Sequence, residues 1–346
     1  MDTSKKVVVT GITGQDGSYM VDHLLESTNH QVYGMVRRSS NLNTLNISHF
    51  LNNPRFTLVT GDLSDSQSID NLVHEIKPDY FINLAAQSFV GSSWKIPEQT
   101  FEVGAVGVLR CLEAIRKHSP NCRFYNAGSS EELGNVDYSP QDEKHPLKPR
   151  SPYGAAKAAA RHIVKVYRES YNLFAIQGLL YNHESERRGD EFVTRKITKG
   201  IARIKFAIDK NIPFAPLELG NIDARRDWSH ALDFVDGIWK MLNQSHPNEH
   251  LLSSNETHTV REFIETAFKY AGIEGNWQGS GIDEVLMDQD GSILIKINPE
   301  FYRPAEVDLL WGNSTKARQE LNWEPKITFK ELVRKMVLND IDLAFS

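Results

Sequence analysis

Tyr153 and Lys157 stand four residues apart in the run Arg150-Ser151-Pro152-Tyr153-Gly154-Ala155-Ala156-Lys157. That spacing puts both side chains on one side of a helix. A tyrosine is a poor base at its ordinary pKa of ~10, but a neighbouring ammonium favours the phenolate. About two dozen residues earlier, Ser129 and Ser130 close a short apolar run, where a hydroxyl can hydrogen-bond a substrate hydroxyl as it is oxidised. A tyrosine–lysine pair by itself is usually surface decoration. Its weight here comes from its neighbourhood.

Oxidation needs an acceptor, and the start of the chain offers a place for one. Thr10-Gly11-Ile12-Thr13-Gly14-Gln15-Asp16-Gly17 puts glycines at 11, 14 and 17 between an apolar run and a helical pattern. Bare α-carbons there permit a tight turn and close approach of backbone to a pyrophosphate seated on a helix N-terminus. An oxidised nicotinamide bound to such a turn also favours the Tyr153 phenolate. At the end of the second apolar run stand Arg37-Arg38-Ser39-Ser40. An acidic residue there would hold a free ribose hydroxyl, whereas two guanidiniums and two hydroxyls suit a 2′-phosphate, so NADP is expected over NAD. Asp62, in Gly61-Asp62-Leu63, is placed either to accept from an adenine amino group or to cap a helix.

These groups need a scaffold that brings them together. Strands are expected at Lys6–Thr10, Gln31–Val36, Phe56–Thr60, Asp79–Leu84, Arg123–Ala127 and Phe174–Leu180, each short and rich in β-formers. Amphipathic helices are expected at Gly17–Leu25, Glu98–His118 and Tyr153–Tyr171, the last with Ala156, Ala160, Ile163, Tyr167 and Tyr171 on one face. This alternation predicts an α/β, Rossmann-type, doubly wound parallel sheet covered on both faces. Beyond about residue 184 prolines and glycines loosen the pattern, leaving helices at Val260–Ala271 and Phe329–Leu338. Residues 1–182, rejoined by 223–254, are expected to form the NADP domain. Residues 183–222 and 255–346 are expected to form a smaller α/β C-terminal substrate-binding lobe, with the site between them.

Composition narrows the function classes. The 346 residues are 40% hydrophobic and 24% charged with net charge −6, which gives no general attraction for nucleic acid or anionic membrane. Cys111 and Cys122 are too few for a disulfide framework and fit a reducing compartment. No run approaches the ~20 apolar residues of a membrane span, and the N-terminus lacks a signal-peptide core, so a cytoplasmic location is expected. Neither His-Glu-x-x-His nor Cys-x-x-Cys spacing occurs, so no metal is expected.

Together these motifs resemble the extended short-chain dehydrogenases/reductases, and within them the GDP-mannose 4,6-dehydratase family. The resemblance runs through TGITGQDG at 10–17, RRSS at 37–40, LAAQS at 84–88 and RSPYGAAK at 150–157. It continues through NHESERRGDEFVTRK at 182–196, GNIDARRDW at 220–228, RPAEVD at 303–308 and LNWEP at 321–325. It implies a GDP-sugar substrate, with Tyr153, Ser129 and Lys157 oxidising the sugar at C4. Glu131 is implied as the acid/base that removes the C5 proton and helps the C6 hydroxyl leave. Cofactor contacts are implied for Gly11, Thr13, Gly14, Gln15, Asp16, Gly17, Arg37, Arg38, Ser39, Asp62, Leu63, Leu84, Ala86, Ser88, Tyr153, Lys157, His183 and Arg188, with Arg187 assisting. Substrate contacts are implied for Ser88, Ser130, Glu131, Asn182, Val193, Lys196, Arg226, Arg303 and Glu306. A dimer paired through the helices at 98–118 and 153–171, or a tetramer reached through the Arg37–Ser40 loop, is also implied. Those apolar helix faces would alternatively serve to cover the sheet.

The pattern departs from the family around the sugar. The usual A-S-T-S-E-L-Y-G reads Ala127-Gly128-Ser129-Ser130-Glu131-Glu132-Leu133-Gly134, and Lys148 stands where an aromatic is usual. These changes bear on the hexose more than on the reaction and leave a GDP-heptose as an alternative substrate. A GDP-sugar epimerase or 4-keto reductase would keep Tyr153 and Lys157 without needing Glu131, and a non-catalytic NADP-binding module would need a broken triad.

Overall fold

The computed structural model describes residues 4–302, 307 and 309–346. Six short strands rich in β-branched and aromatic residues, β1 (Lys6–Thr10), β2 (Gln31–Val36), β3 (Phe56–Thr60), β4 (Tyr80–Asn83), β5 (Arg123–Ala127) and β6 (Ala175–Leu180), build the main sheet. Their order is β3-β2-β1-β4-β5-β6, and a seventh strand, Leu251–Leu252, continues the row beside β6. Every pairing is parallel. The order reverses between β1 and β4, and the carboxyl ends there open the crevice where such sheets bind ligands.

Alternation along β1 divides the core. Val7 and Val9 face one layer, with Met20, Val21 and Leu24 of helix α1 (Gln15–Ser27) and Phe234 and Ile238 of the helix Ala231–Leu242. Val8 faces the other, with Ile69 of Ser66–Ile76, Leu112 of Gly107–His118 and Val164 of Pro152–Tyr171. Both faces are therefore covered, as near-continuous apolar strands require.

A second core lies beyond this sheet. Ile197 and Ile201 from the helix Val193–Lys210, Phe263 and Ile264 from Val260–Ala271, and Met336 and Val337 from Phe329–Phe345 pack with Leu286 and Ile295. The latter two belong to a four-stranded sheet ordered Asn276–Gln278, Val285–Met287, Ile293–Ile297, Leu217–Leu219. Short ribbons lie between the cores: Trp228–His230 pairs with Asn182–Glu184, and Arg225–Arg226 pairs with His258–Thr259 and Leu309–Leu310.

Several expectations need adjustment. The segment Glu98–His118 is not one continuous α-helix, because a π-helical turn at Glu102–Val106 interrupts it beside Gly104, whose absent side chain leaves Ala156 close by. The last helix runs on to Phe345 because Asp340 is tied to Thr198 and Arg195 of the second core. Helices at Ser66–Ile76, Val193–Lys210 and Ala231–Leu242 were not foreseen. On Pro152–Tyr171, Ala156, Ala160, Val164 and Tyr167 are buried in this single chain, whereas Val166 and Tyr171 are exposed.

Candidate active site

The glycine-rich turn is built by close packing at the carboxyl end of β1. Gly11 has φ +70°, and a Cβ there would lie 2.8 Å from the Ala85 backbone nitrogen, so only glycine fits. Gly14 donates its N–H to the Gly11 carbonyl at 3.0 Å and starts α1 without a side-chain cap. A Cβ on Gly14 would meet only the Gly11 carbonyl, at 3.3 Å, which leaves the outer side of the turn open above the first N–H groups of the helix. The residues present therefore fit a dinucleotide pyrophosphate.

The catalytic candidates converge two strands away. β5 ends at Ala127, and Ser129 caps the 3-10 turn Ser130–Glu132 by accepting from the Glu131 N–H at 3.2 Å. Opposite, Ser151 caps the helix Pro152–Tyr171 by accepting from Gly154 N–H at 3.0 Å, with Pro152 in the first turn. That start places Tyr153 beside Ser129 in the same cavity, close enough for the serine side chain to act on its phenol. Lys157 donates to the Ala127 carbonyl at 2.6 Å, and its nitrogen lies 5.7 Å from the Tyr153 ring centre. Ser129, Ser130, Glu131, Tyr153 and Lys157 all line one cavity of about 310 Å³.

Burial raises the Tyr153 phenol above its ordinary value, against the lowering influence of Ser129. Burial also pulls Lys157 down to about 8, opposed by Glu132 and Asp16. The protein alone thus holds Tyr153 as a phenol, and the Lys157 ammonium does not by itself produce the phenolate.

Around the cofactor turn, Asp16, Leu84, Ala86, Ser88, His183 and Arg188 line the same cavity. His183 Nδ1 lies 2.7 Å from the Tyr181 carbonyl and Nε2 lies 2.8 Å from Asp16. A ring that donates at both nitrogens is an imidazolium. Burial lowers His183, but Asp16 outweighs it and the net shift is upward, while Asp16 itself falls to about 2 despite burial. Arg188 is ion-paired to Glu184 at 3.0 Å and lies over Phe192.

Some expected contacts look different. Gln15 uses its side chain to join Asp16, the His183 carbonyl and Ser185, which leaves its backbone to face a cofactor. Leu63 is a core residue whose carbonyl accepts from Arg110. Arg187 is spent on Asp22, Ser18 and the Tyr19 ring and stands outside the cavity lining. Thr13 accepts from Asn46 through its carbonyl. Asp62 holds Ser64 in a turn, and the helix cap is Asp65 instead. Arg37, Arg38 and Ser39 are exposed at the carboxyl end of β2.

On the substrate side, Asn182, Val193, Lys196 and Arg226 line the cavity, whereas Arg303 and Glu306 lie outside the described residues. Arg226 is buried and donates to the Arg225 carbonyl at 2.9 Å. Asn182 Oδ1 is buried with no hydrogen-bond partner among the described residues. Lys196 lies 3.7 Å from the Phe301 ring centre. Phe301, Trp228, Asn221 and Phe192 also line the site and were missed. Of these, Asn221 and Trp228 lie within the quoted GNIDARRDW run and Phe192 within NHESERRGDEFVTRK, so proximity to Arg226 and Val193 was the available signal.

Most departures from the family pattern fall away from the cavity. Glu132 and Leu133 have no solvent exposure and do not line it, and Lys148 is paired with Asp137 on the surface. Glu132 is therefore not an extra carboxylate in the sugar pocket, because successive side chains of a 3-10 turn point about 120° apart and Glu131 takes the direction that faces the cavity. Gly128 and Ser129 are the departures that face it.

A family profile described as GDP-mannose 4,6 dehydratase matches residues 8–336. GDP-mannose 4,6 dehydratase of Drosophila melanogaster is 47% identical over 98% of this chain and 87% of its own length. The Homo sapiens enzyme of the same name is 44% identical over 97% of this chain and 91% of its own. Among solved structures, dTDP-glucose 4,6-dehydratase from Streptomyces venezuelae with NAD and TYD bound matches with TM-score 0.81 at 20% identity, covering 96% of each chain. RMD from Pseudomonas aeruginosa complexed with NADPH matches with TM-score 0.75 at 21% identity, over 98% of this chain and 100% of the other. At those identities the structural likeness establishes the fold.

Proposed function

The chain belongs to the GDP-mannose 4,6-dehydratase family, and from that premise we propose that it converts GDP-mannose to GDP-4-keto-6-deoxymannose with NADP held at the glycine-rich turn. The observation that carries this reading is the meeting of Ser129, Glu131, Tyr153 and Lys157 in one cavity that Arg226, Lys196 and Asn182 also line. Fold alone would not name a reaction, but this constellation does. The open turn supports a nicotinamide dinucleotide, and the exposed Arg37 and Arg38 support the 2′-phosphate form.

The glycine-rich turn and Lys157 would hold an oxidised nicotinamide dinucleotide, whose chemistry there would be to take hydride from C4 and to add positive charge near Tyr153. Ser129 orients the C4 hydroxyl, and Tyr153 takes its proton, with Lys157 completing the set. The 4-ketone acidifies C5–H, and Glu131 removes that proton and passes one to the departing C6 hydroxyl, which leaves as water. The hydride taken from C4 would be delivered to C6 while the proton held by Tyr153 returns to C5, so no reduced cofactor accumulates. Arg226, Lys196 and Arg303 pair with the diphosphate, Asn182 and Val193 grip the sugar, and Glu306 accepts from ribose or guanine. Residues 1–182 with 223–254 serve the cofactor and also lend Asn182 and Arg226 to the substrate, and 183–222 with 255–346 supply the rest of the sugar-nucleotide site. The exposed Phe101, Val166 and Tyr171 support pairing of two copies through the long helices, the Arg37–Ser40 loop supports a tetramer, and the working compartment is the cytoplasm.

Mass spectrometry of products from GDP-mannose and from a GDP-heptose tests the reading. Loss of one water from GDP-mannose, without net reduced cofactor, is expected. Loss from the heptose alone would overturn the hexose assignment and keep the mechanism. Loss from neither, by folded and NADP-loaded protein, would overturn both.

A further inference from the structure

Glu132 follows Glu131 but faces away from the substrate, into the end of the sheet. Its Oε1 accepts from the Ser129 N–H at 2.8 Å and from Gln177 Nε2 at 2.7 Å. Gln177 Nε2 also donates to the Lys157 carbonyl at 3.0 Å, which fixes which end of that amide is nitrogen. Gln177 Oε1 then accepts from Asn126 Nδ2 at 2.6 Å, Asn126 Oδ1 from Asn83 Nδ2 at 2.8 Å, and Asn83 Oδ1 from Thr10 Oγ1 at 2.6 Å. The far end is fixed too, since Thr10 Oγ1 already accepts from the Leu84 and Ala85 N–H groups. Every side-chain donor therefore points the same way, from β1 through β4, β5 and β6 to Glu132. Aligned bonds of this kind polarise one another, and the chain must end on an acceptor.

The carboxyl group is also given room. A Cβ on Gly128 would lie 2.6 Å from Glu132 Oε1. Oε2 makes no hydrogen bond among the described residues, so a proton can sit there without breaking the chain. The charged and titratable groups around it are Arg161, Lys157 and Tyr153 of the helix Pro152–Tyr171 and Tyr125 of β5, with Asp16 of the glycine turn acting on Lys157. Burial pushes Glu132 up to about 7, against Arg161 and Lys157.

We propose that Glu132 is a positioning residue for the oxidation step: it ends the Thr10–Asn83–Asn126–Gln177 chain, fixes the Ser129 backbone and, when ionised, keeps Lys157 an ammonium. The kinetic part of this rests on the dehydratase reading; the titration part does not. Because the folded carboxyl holds its proton more tightly than the ordinary value of 4.5, Glu132 lowers stability as pH rises from there through about 7.

The test is Glu132→Gln, followed by turnover of GDP-mannose and by melting temperature across pH. The variant is expected to lose about tenfold in kcat with KM within about twofold, and its alkaline limb should move down by about one pH unit as Lys157 loses its counter-charge. The decline in melting temperature between pH ~5 and ~7 should flatten relative to the parent. A folded variant with the parent's alkaline limb and melting slope would overturn the proposal, whatever its kcat. If the parent itself fails to dehydrate GDP-mannose, the function reading falls while the melting slope still decides the carboxyl's state. Should E132Q not fold, Gln177→Met keeps the carboxyl but removes a donor, and the melting decline should shift to higher pH; no shift would overturn the proposal.

Discussion

The two walls of the cavity are built differently. On the sheet side, Ser129, Tyr153, Lys157 and the glycine turn sit at ends of regular elements, and the backbones of Ser129 and Lys157 are tied to one hydrogen-bonded chain across four strands. On the ribbon side, Asn182, Lys196, Arg226 and Phe301 come from a two-stranded ribbon, a helix, a second ribbon and a short turn. The first wall is suited to chemistry, which needs fixed geometry. The second is suited to gripping a long, charged ligand, where arginine and lysine forks reach from separate supports. If that division holds, substitutions on the two walls should separate kcat from KM.

The largest effect is expected for Tyr153→Phe, which should cut kcat by roughly three orders of magnitude with KM almost unchanged, read from initial rates. A large KM effect instead would erase the division. Glu131→Gln comes next, at about two to three orders in kcat. It should let C4 oxidation proceed while blocking water loss, so reduced nicotinamide absorbance should rise in a single turnover and persist. On the opposite wall, Arg226→Ala removes a charge-assisted contact worth ~1.5–3 kcal/mol, so KM for GDP-mannose should rise about 10- to 100-fold with kcat within a few-fold. Equal losses in both parameters would place Arg226 with the chemistry. The smallest change is Arg38→Ala, which should reduce the preference for NADP over NAD by about tenfold in equilibrium binding, with little effect on GDP-mannose.

The same division governs how much could be read from residues in order. β2, β3 and β5 have the bounds that their apolar runs suggested, and the helix Val260–Ala271 was likewise clear. Val193–Lys210 was missed although Ile197, Ile201 and Ile204 repeat with helical spacing, because its interest lay in the motif that overlaps its start. The convergence of Arg226 with Phe301 had no local signal, since it depends on how ribbons pack between two cores. Glu131 and Glu132 mark the sharpest limit. They are chemically identical and adjacent, yet one faces the cavity and the other ends a buried chain, and only the turn at Ser130–Glu132 separates them.

The central claim is that one cavity oxidises C4 and returns the same hydrogen to C6. GDP-mannose carrying deuterium at C4 tests this directly, with the product analysed by mass spectrometry and NMR. The account predicts a product that has lost one water and carries the deuterium at C6, with free cofactor unlabelled. Deuterium appearing in free reduced cofactor, or retained at C4 without loss of water, would contradict it.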